Sequence, residues 1–215
     1  MMCTPVQQEA LALGFLANED IIHSLADVEL LQVCNAGTCV DVWLAFSHFE
    51  PPRRRILTSG CAGGLTFDDF SAALPPLETE RNITSIQLWA LMDQVYQVAT
   101  LYSRSRGVHC SALSDGERLL LSAEDVGRHN TLDKLQGLAL QQGIQTQDSI
   151  ILSTGRISSE MINKARHMEV PIVCSRTSPT GLSVVLAEKW NMTLVGYLYR
   201  DSMNVYTHSR RILFE

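Results

Sequence analysis

The sequence predicts an α/β fold with a mixed, mostly parallel sheet, and three observations predict it. After residue 118, short apolar runs alternate with segments of helix length. The runs at 149–153, 171–174 and 193–198 are of strand length. Each is followed at once by a polar turn that carries an Arg: Thr154-Gly155-Arg156, Ser175-Arg176-Thr177-Ser178-Pro179-Thr180, and Tyr199-Arg200-Asp201-Ser202. Strands and helices alternating at this spacing imply parallel neighbours joined by right-handed crossovers.

In chain order, Thr4-Pro5-Val6-Gln7 is a helix start, with Thr4 as N-cap, Pro5 at the first helical position and Gln7 closing a capping box. The helix should run to about Leu16, with Val6, Ala10, Leu13 and Gly14 on one face. Residues 28–34 and 40–46 form a hairpin around Asn35-Ala36-Gly37. Cys34 and Cys39 flank its turn; their spacing does not suit a zinc knuckle, and they are expected to be structural. Residues 68–81 are irregular, broken by Pro75-Pro76. Thr84-Ser85-Ile86-Gln87 is a second capping box. The helix after it carries Trp89, Met92, Tyr96 and Ala99 on a core stripe and ends near Tyr102. A polar, basic loop at 103–107 leads to a hairpin of 108–113 and 118–123 around Asp115-Gly116.

Next comes Glu124-Asp125-Val126-Gly127-Arg128-His129-Asn130, which reads as a strand-to-helix loop. Gly127 permits a tight turn, Asn130 is the expected N-cap, and the backbone N–H groups after it suit an anion. Helices are expected from about Ser158 and Gly181, and residues 204–207 form a strand at the sheet edge. The expected division is 1–82, holding the N-terminal helix, hairpin and a Cys-bearing loop, and 83–215, the α/β part, together one structural unit.

Composition narrows the function. The 215 residues carry a net charge of −6, so no general basic surface is available for nucleic acid. Six dispersed Cys give no disulfide framework, which points to reduced thiols and a cytoplasmic protein. No apolar run reaches membrane-spanning length. The Cys-x-x-Cys pair of a zinc deaminase, the Gly-x-Ser-x-Gly elbow of a hydrolase and the Gly-Lys-Ser/Thr of a P-loop are all missing. No zinc is expected.

Two features carry chemistry. In a parallel sheet the strand-to-helix loops emerge at the carboxyl edge, where ligands bind. Arg128, Arg156, Arg176 and Arg200 would converge there on one anionic ligand. The second feature is Thr58-Ser59-Gly60-Cys61-Ala62-Gly63-Gly64-Leu65. No bulky neighbour hides the Cys61 sulfur, and the nearby Arg53-Arg54-Arg55 run could also lower its pKa. This stretch alone fits either a reactive nucleophile or a flexible loop that contains a Cys.

The heptapeptide at 124–130 with Asp133-Lys134 resembles the signature of the FdhD-type formate dehydrogenase accessory sulfurtransferases. So do Gly107-Val108-His109, Ser153-Thr154-Gly155-Arg156-Ile157-Ser158-Ser159-Glu160-Met161, and Ser175-Arg176-Thr177-Ser178-Pro179-Thr180. Thr4-Pro5, Ala12-Leu13-Gly14-Phe15-Leu16, Thr58-Ser59-Gly60-Cys61 and the segment 196–207 agree as well. The resemblance implies a cytidine-deaminase-like three-layer fold without its zinc. It implies sulfur carried as a persulfide on Cys61, from a cysteine desulfurase to the molybdenum bis(molybdopterin guanine dinucleotide) cofactor of formate dehydrogenase. That cofactor is then a carried substrate. Its guanine end is expected at Tyr197, Leu198, Tyr199, Arg200, Asp201 and Ser202, and its phosphates at Arg128, His129, Arg156 and Arg176. A homodimer is expected. The alternative is a cofactor-binding chaperone without sulfur transfer. Two departures stand out. Many members have Cys-x-x-Cys where this chain has Cys61-Ala62-Gly63-Gly64, and members usually carry a further stretch before the Thr4-Pro5 helix.

Overall fold

Six strands carry the fold, and the layers on either side are set by which face each strand residue points to. The computed structural model describes residues 1–47, 56–57, 65–66 and 74–214. Helix α1 (Gln8–Asn18) is followed by the antiparallel hairpin β1 (Val28–Val33) and β2 (Val40–Leu44). Two short strands, β3 (Ile56–Leu57) and β4 (Leu65–Thr66), pair antiparallel. Strand β5 (Ile83–Thr84) runs into α2 (Ser85–Val98) and α3 (Thr100–Ser105). Then follow β6 (His109–Ser114), β7 (Leu119–Asp125), α4 (Arg128–Gln142), β8 (Ile150–Ser153), α5 (Ser159–His167), β9 (Ile172–Ser175) and α6 (Gly181–Lys189). The chain closes through β10 (Thr193–Tyr199), β11 (Ser202–Val205) and β12 (Ile212–Leu213), the last pairing in parallel with β5.

The main sheet has the order β11-β10-β9-β8-β6-β7. Strands β8, β9 and β10 are mutually parallel. Strand β6 is antiparallel to both β7 and β8, so β7 runs in the same direction as the parallel set. Strand β11 is antiparallel at the edge. The sheet is therefore mixed, with β7, β8, β9 and β10 all ending at one side.

Strand alternation sorts the core into two layers. Ile150 and Leu152 of β8 pack with Leu88, Leu91, Met92 and Val95 of α2, while Ile151 joins Leu132 and Leu135 of α4 and Met161 and Ile162 of α5. Helix α2 thus covers one face, and α4, α5 and α6 cover the other. The expected capping box starts α2: Thr84 N–H donates to Gln87 Oε1 at 3.0 Å, and Gln87 N–H to Thr84 Oγ1 at 3.1 Å. The helix breaks at Ala99 rather than running on to Tyr102. Glu124 caps the new helix α3, accepting from Leu101 N–H at 2.9 Å and Tyr102 N–H at 2.6 Å.

Helix α1 packs outside this core, on α4, with the two backbones in contact. A Cβ on Gly14 would lie 1.7 Å from the Asp133 carbonyl oxygen, and one on Gly137 would lie 1.8 Å from the Ala10 carbonyl oxygen. Helix α1 starts later than its sequence suggests, at Gln8, with Gln7 in the left-handed region. The cause is long-range. Thr4 N–H donates to Asp125 Oδ2 at 3.0 Å, and the Thr4 hydroxyl accepts from Val126 N–H at 3.0 Å. Thr4 caps the β7–α4 turn and not its own helix.

The start of α4 also differs from expectation. Its N-cap is Gly127, not Asn130, which lies one turn inside. Asp125 Oδ1 accepts from Gly127 N–H and from Asn130 Nδ2, both at 2.8 Å, and this closes the turn in two residues. The fourth Arg-bearing turn is a hairpin, Arg200-Asp201, between β10 and β11, and no helix follows it. The described cysteines Cys3, Cys34, Cys39, Cys110 and Cys174 are free thiols. Cys61 lies outside the described residues, as does much of the irregular stretch expected at 68–81. Among the described residues no helix is long and apolar enough to cross a membrane.

The backbone contact between α1 and α4 makes a test of the packing. Gly137→Ala forces two helices apart and should cost about 1–3 kcal/mol or more. Gly181, with open space around its Cα, should tolerate Ala within about 0.5 kcal/mol. Urea midpoints of the two variants measure the difference, and equal midpoints would mean that the close approach is not needed.

Candidate functional site

Strands β7, β8, β9 and β10 end at Asp125, Ser153, Ser175 and Tyr199. Strand β6 runs the other way, so its first residue, His109, arrives at the same edge opposite Asp125. Beneath the edge lies a row of buried hydroxyls. Ser111 Oγ lies 2.7 Å from Thr131 Oγ1 and 3.0 Å from Ser153 Oγ. Ser153 Oγ accepts from Gly155 N–H at 3.2 Å, and Ser175 Oγ donates to the Gly155 carbonyl at 2.6 Å. Thr131 Oγ1 donates to the Arg128 carbonyl at 2.6 Å. Small hydroxyl residues thus tie the loops at this edge to one another.

The loops after β8 and β9 also pair directly. Ile157 N–H donates to the Ser178 carbonyl at 3.3 Å, and Thr180 N–H to the Ile157 carbonyl at 2.9 Å. Tyr197 N–H donates to the Thr177 carbonyl at 3.2 Å, which ties in β10. Arg156 and Arg176 therefore stand on neighbouring, cross-linked turns.

Arg128, His109 and Arg156 form the first cluster. Gly155 has no room for a side chain: a Cβ there would lie 3.0 Å from His109 Nδ1 and 3.1 Å from Arg128 Cβ. Burial first, then Arg128 and Arg156, hold His109 below the usual imidazole range. His109 is therefore neutral at pH 7, and the cluster's positive charge resides on the guanidinium groups.

His129 sits one residue into α4 and is buried. Its Nε2 lies 2.8 Å from Ser158 Oγ and 3.7 Å from Glu160 Oε2, so it joins α4 to the start of α5. Asp125 is not its partner; that carboxylate is committed to Lys134 at 2.6 Å. Burial, followed by Arg128, pushes His129 down to about 4, against the opposing effect of Glu160.

A second cluster is aromatic. The Arg176 guanidinium carbon lies 4.3 Å from the Tyr199 ring centre and 5.0 Å from that of Tyr96. Tyr96 and Tyr102 rings are 5.8 Å apart, and Arg106 stacks on Tyr102 at 5.0 Å. A cation between rings keeps its N–H groups available in its own plane.

The remaining expected residues divide. Tyr197 is exposed at a positive φ of 50°. Tyr199 belongs to the aromatic cluster. Leu198 is buried in the core layer with α2, so its side chain is not at the edge. Arg200, Asp201 and Ser202 are exposed in the hairpin turn. His109, Tyr96 and Arg106 belong to the edge but were not assigned a role from sequence. Their signals were weak: His109 precedes an apolar run, and Tyr96 matches a core stripe.

Guanidinium groups and a neutral imidazole at one edge are chemically suited to an anion, because a guanidinium offers several N–H donors in one plane.

The sequence profile of the FdhD/NarQ family matches residues 1–213. A Bacillus subtilis protein named sulfur carrier protein FdhD is 36% identical over 218 residues, spanning 99% of this chain and 83% of its own length. The Staphylococcus haemolyticus protein of the same name is 31% identical over 217 residues, spanning 99% and 82%. A crystal structure described as a formate dehydrogenase accessory protein from Desulfotalea psychrophila superposes with a TM-score of 0.83 at 28% identity, covering 99% of this chain and 83% of that one.

The buried imidazole makes stability depend on pH. Unfolded His129 takes up a proton near the ordinary value of about 6.5, whereas the folded one resists until about 4. Between these values the unfolded chain binds more protons, so stability is full above the upper value and declines as pH falls. The span is worth on the order of 3 kcal/mol. His129→Gln should show a flatter loss of urea midpoint between pH 7 and 4.5 than the parent; parallel curves would remove His129 as the source.

Proposed function

The chain belongs to the FdhD/NarQ family, and on that basis we propose that it carries sulfur to the molybdenum bis(molybdopterin guanine dinucleotide) cofactor of a formate dehydrogenase. One observation supports the substrate class above others: an edge lined by Arg128, Arg156 and the ring-flanked Arg176 on a chain of net charge −6. Positive charge is concentrated where the loops meet, in a setting that suits a ligand with several phosphates. Arg128 and Arg156 hold phosphate oxygens, with His109 adding a neutral hydrogen bond. Arg176 offers its in-plane N–H groups to a phosphate or to the edge of a guanine. Arg200 stands exposed in the β10–β11 turn beyond these three.

Sulfur enters on Cys61. Its thiolate attacks the outer sulfur of a persulfide on the donor, a cysteine desulfurase. The donor's sulfur–sulfur bond breaks, the donor leaves as a thiolate, and Cys61 holds the outer sulfur as its own persulfide. Only the thiolate is nucleophilic, and the positive charge of Arg53, Arg54 and Arg55, a short way back in sequence, would favour it. The carried cofactor is the recipient. A carrier of cofactor without sulfur transfer is the second reading, and Gly64 in place of the second Cys common in the family is what favours it.

Two measurements test the proposal. A charge-assisted contact is worth about 1.5–3 kcal/mol, so Arg156→Ala should weaken GDP binding roughly tenfold or more. Unchanged affinity would take Arg156 out of the site. Cys61→Ser should keep the fold and the GDP affinity yet lose activation of the client formate dehydrogenase. With a labelled desulfurase, mass spectrometry should find the label on the Cys61 peptide. Label on Cys34, Cys110 or Cys174 instead would mean another nucleophile, and full activation by Cys61→Ser would favour the carrier without sulfur transfer.

A further inference from the structure

Cys34 and Cys39 face each other at the turn end of the β1–β2 hairpin. The ladder pairs Val33 with Val40 and continues as Cys34 N–H donates to the Cys39 carbonyl at 3.0 Å. The return bond of that pair is not made to a carbonyl. The Cys34 carbonyl accepts from Gly37 N–H at 2.8 Å, and the Cys39 N–H donates to the Cys34 sulfur at 3.1 Å. The Thr38 hydroxyl lies 3.7 Å from the same sulfur. Donors aimed at a sulfur favour its thiolate. The Cys39 side chain, then Thr38, bring Cys34 down to about 6, while the same contact raises Cys39. The charged group acting on the pair is Asp41, on the Cys39 side.

The setting suits a reagent of small size. Gln8 Nε2 of α1 donates to the Gly37 carbonyl at 2.7 Å and holds the turn in place. Between α1 and the hairpin lies a cavity of about 330 Å³, lined by Cys39 and Cys3 together with Leu11, Ala12, Phe15 and Val40. Among the described residues no cluster of His, Cys, Asp or Glu is placed to hold a metal ion. The other described thiols lack this environment: burial raises half-buried Cys3 and buried Cys110 and Cys174, Cys110 to about 12.

We propose that Cys34 and Cys39 are a redox-active dithiol that exchanges with low-molecular-weight disulfides, Cys34 attacking and Cys39 resolving. The Cys34 thiolate attacks one sulfur of a disulfide R–S–S–R. A bond forms between Cys34 and R–S, and R–S⁻ leaves. Cys39, giving up its proton to solvent, then attacks the Cys34 sulfur; the second R–S⁻ leaves and the Cys34–Cys39 disulfide remains. The protein loses two electrons, and R–S–S–R gains two to become two thiols. Directly opposed strand residues have Cβ atoms about 4.5–5.5 Å apart, and a disulfide needs about 3.5–4.5 Å, so a small closing of the hairpin end suffices. The exchange does not depend on the sulfur-carrier reading.

The test uses the full chain with glutathione disulfide at pH 7. Peptide mapping without reductant should find Cys34 linked to Cys39, reversed by dithiothreitol. Cys39→Ser should accumulate a glutathione adduct on Cys34, and Cys34→Ser should carry at least tenfold less adduct on Cys39. In the parent, iodoacetamide at pH 6.5 should label Cys34 ahead of Cys39. Absence of the Cys34–Cys39 link, or adduct on Cys39 with Cys34 left reduced, would overturn the proposal.

Discussion

The Asp125 carboxylate is the constraint on which the edge depends. It is buried, and its four acceptor positions are filled: Lys134 at 2.6 Å and Thr4 N–H at 3.0 Å on one oxygen, Gly127 N–H and Asn130 Nδ2 at 2.8 Å on the other. Lys134 is satisfied in turn by the Thr4 and Glu124 carbonyls at 3.2 and 3.0 Å. A buried ion pair offsets its desolvation only when every remaining polar position is met, and removing one partner leaves a charge worth about 3–5 kcal/mol uncompensated. The reward is positional. The turn from β7 to α4 is held to two residues, so Arg128 and His129 start the helix at the sheet edge. A second buried pair, Lys164 with Asp133 at 2.6 Å, locks α4 to α5, with Asn18 of α1 donating to the same carboxylate oxygen at 2.8 Å.

Much of the heptapeptide therefore works on structure rather than on ligand. Glu124 caps α3, Asp125 and Asn130 close the turn, and Lys134 neutralises it. From sequence alone, this loop reads as a tight turn into a helix whose N-terminus suits an anion. What was legible was the alternation of strand and turn, because β8 and β9 are buried on both faces and β7, β8 and β9 each run into a polar loop. That pattern placed Arg128, Arg156 and Arg176 on one edge. What was not legible depended on partners far along the chain. Thr4 has the local signals of an N-cap, yet Asp125 and Val126 claim it. His109 reaches the edge only because β6 runs antiparallel, and apolar residues alone do not reveal strand direction. Tyr96 fits a core stripe and also forms one wall of the Arg176 sandwich.

The electrostatics of the edge are built from groups that differ in permanence. The guanidinium charges are fixed, whereas His109 and His129 are held neutral by burial and by those same charges. Arg176, held against Tyr96 and Tyr199, would have little side-chain freedom to give up to a ligand. Such preorganisation lowers the entropy cost of binding. The hydroxyl row of Ser111, Thr131, Ser153 and Ser175 plays the matching part for the backbone, fixing the three loops after β7, β8 and β9 with short side chains.

The contact of α1 with α4 has a consequence for the order of events during synthesis. Thr4 and Asp125 are 121 residues apart in sequence. At roughly 5–20 residues per second, a ribosome needs on the order of 10 s to make the second partner after the first. Throughout that interval α1 has no helix to dock on, and its Ala10, Leu13 and Gly14 face is uncovered. Translation speed and chaperone supply should therefore influence the yield of this protein more than they would for a chain whose first helix packs against its immediate successor.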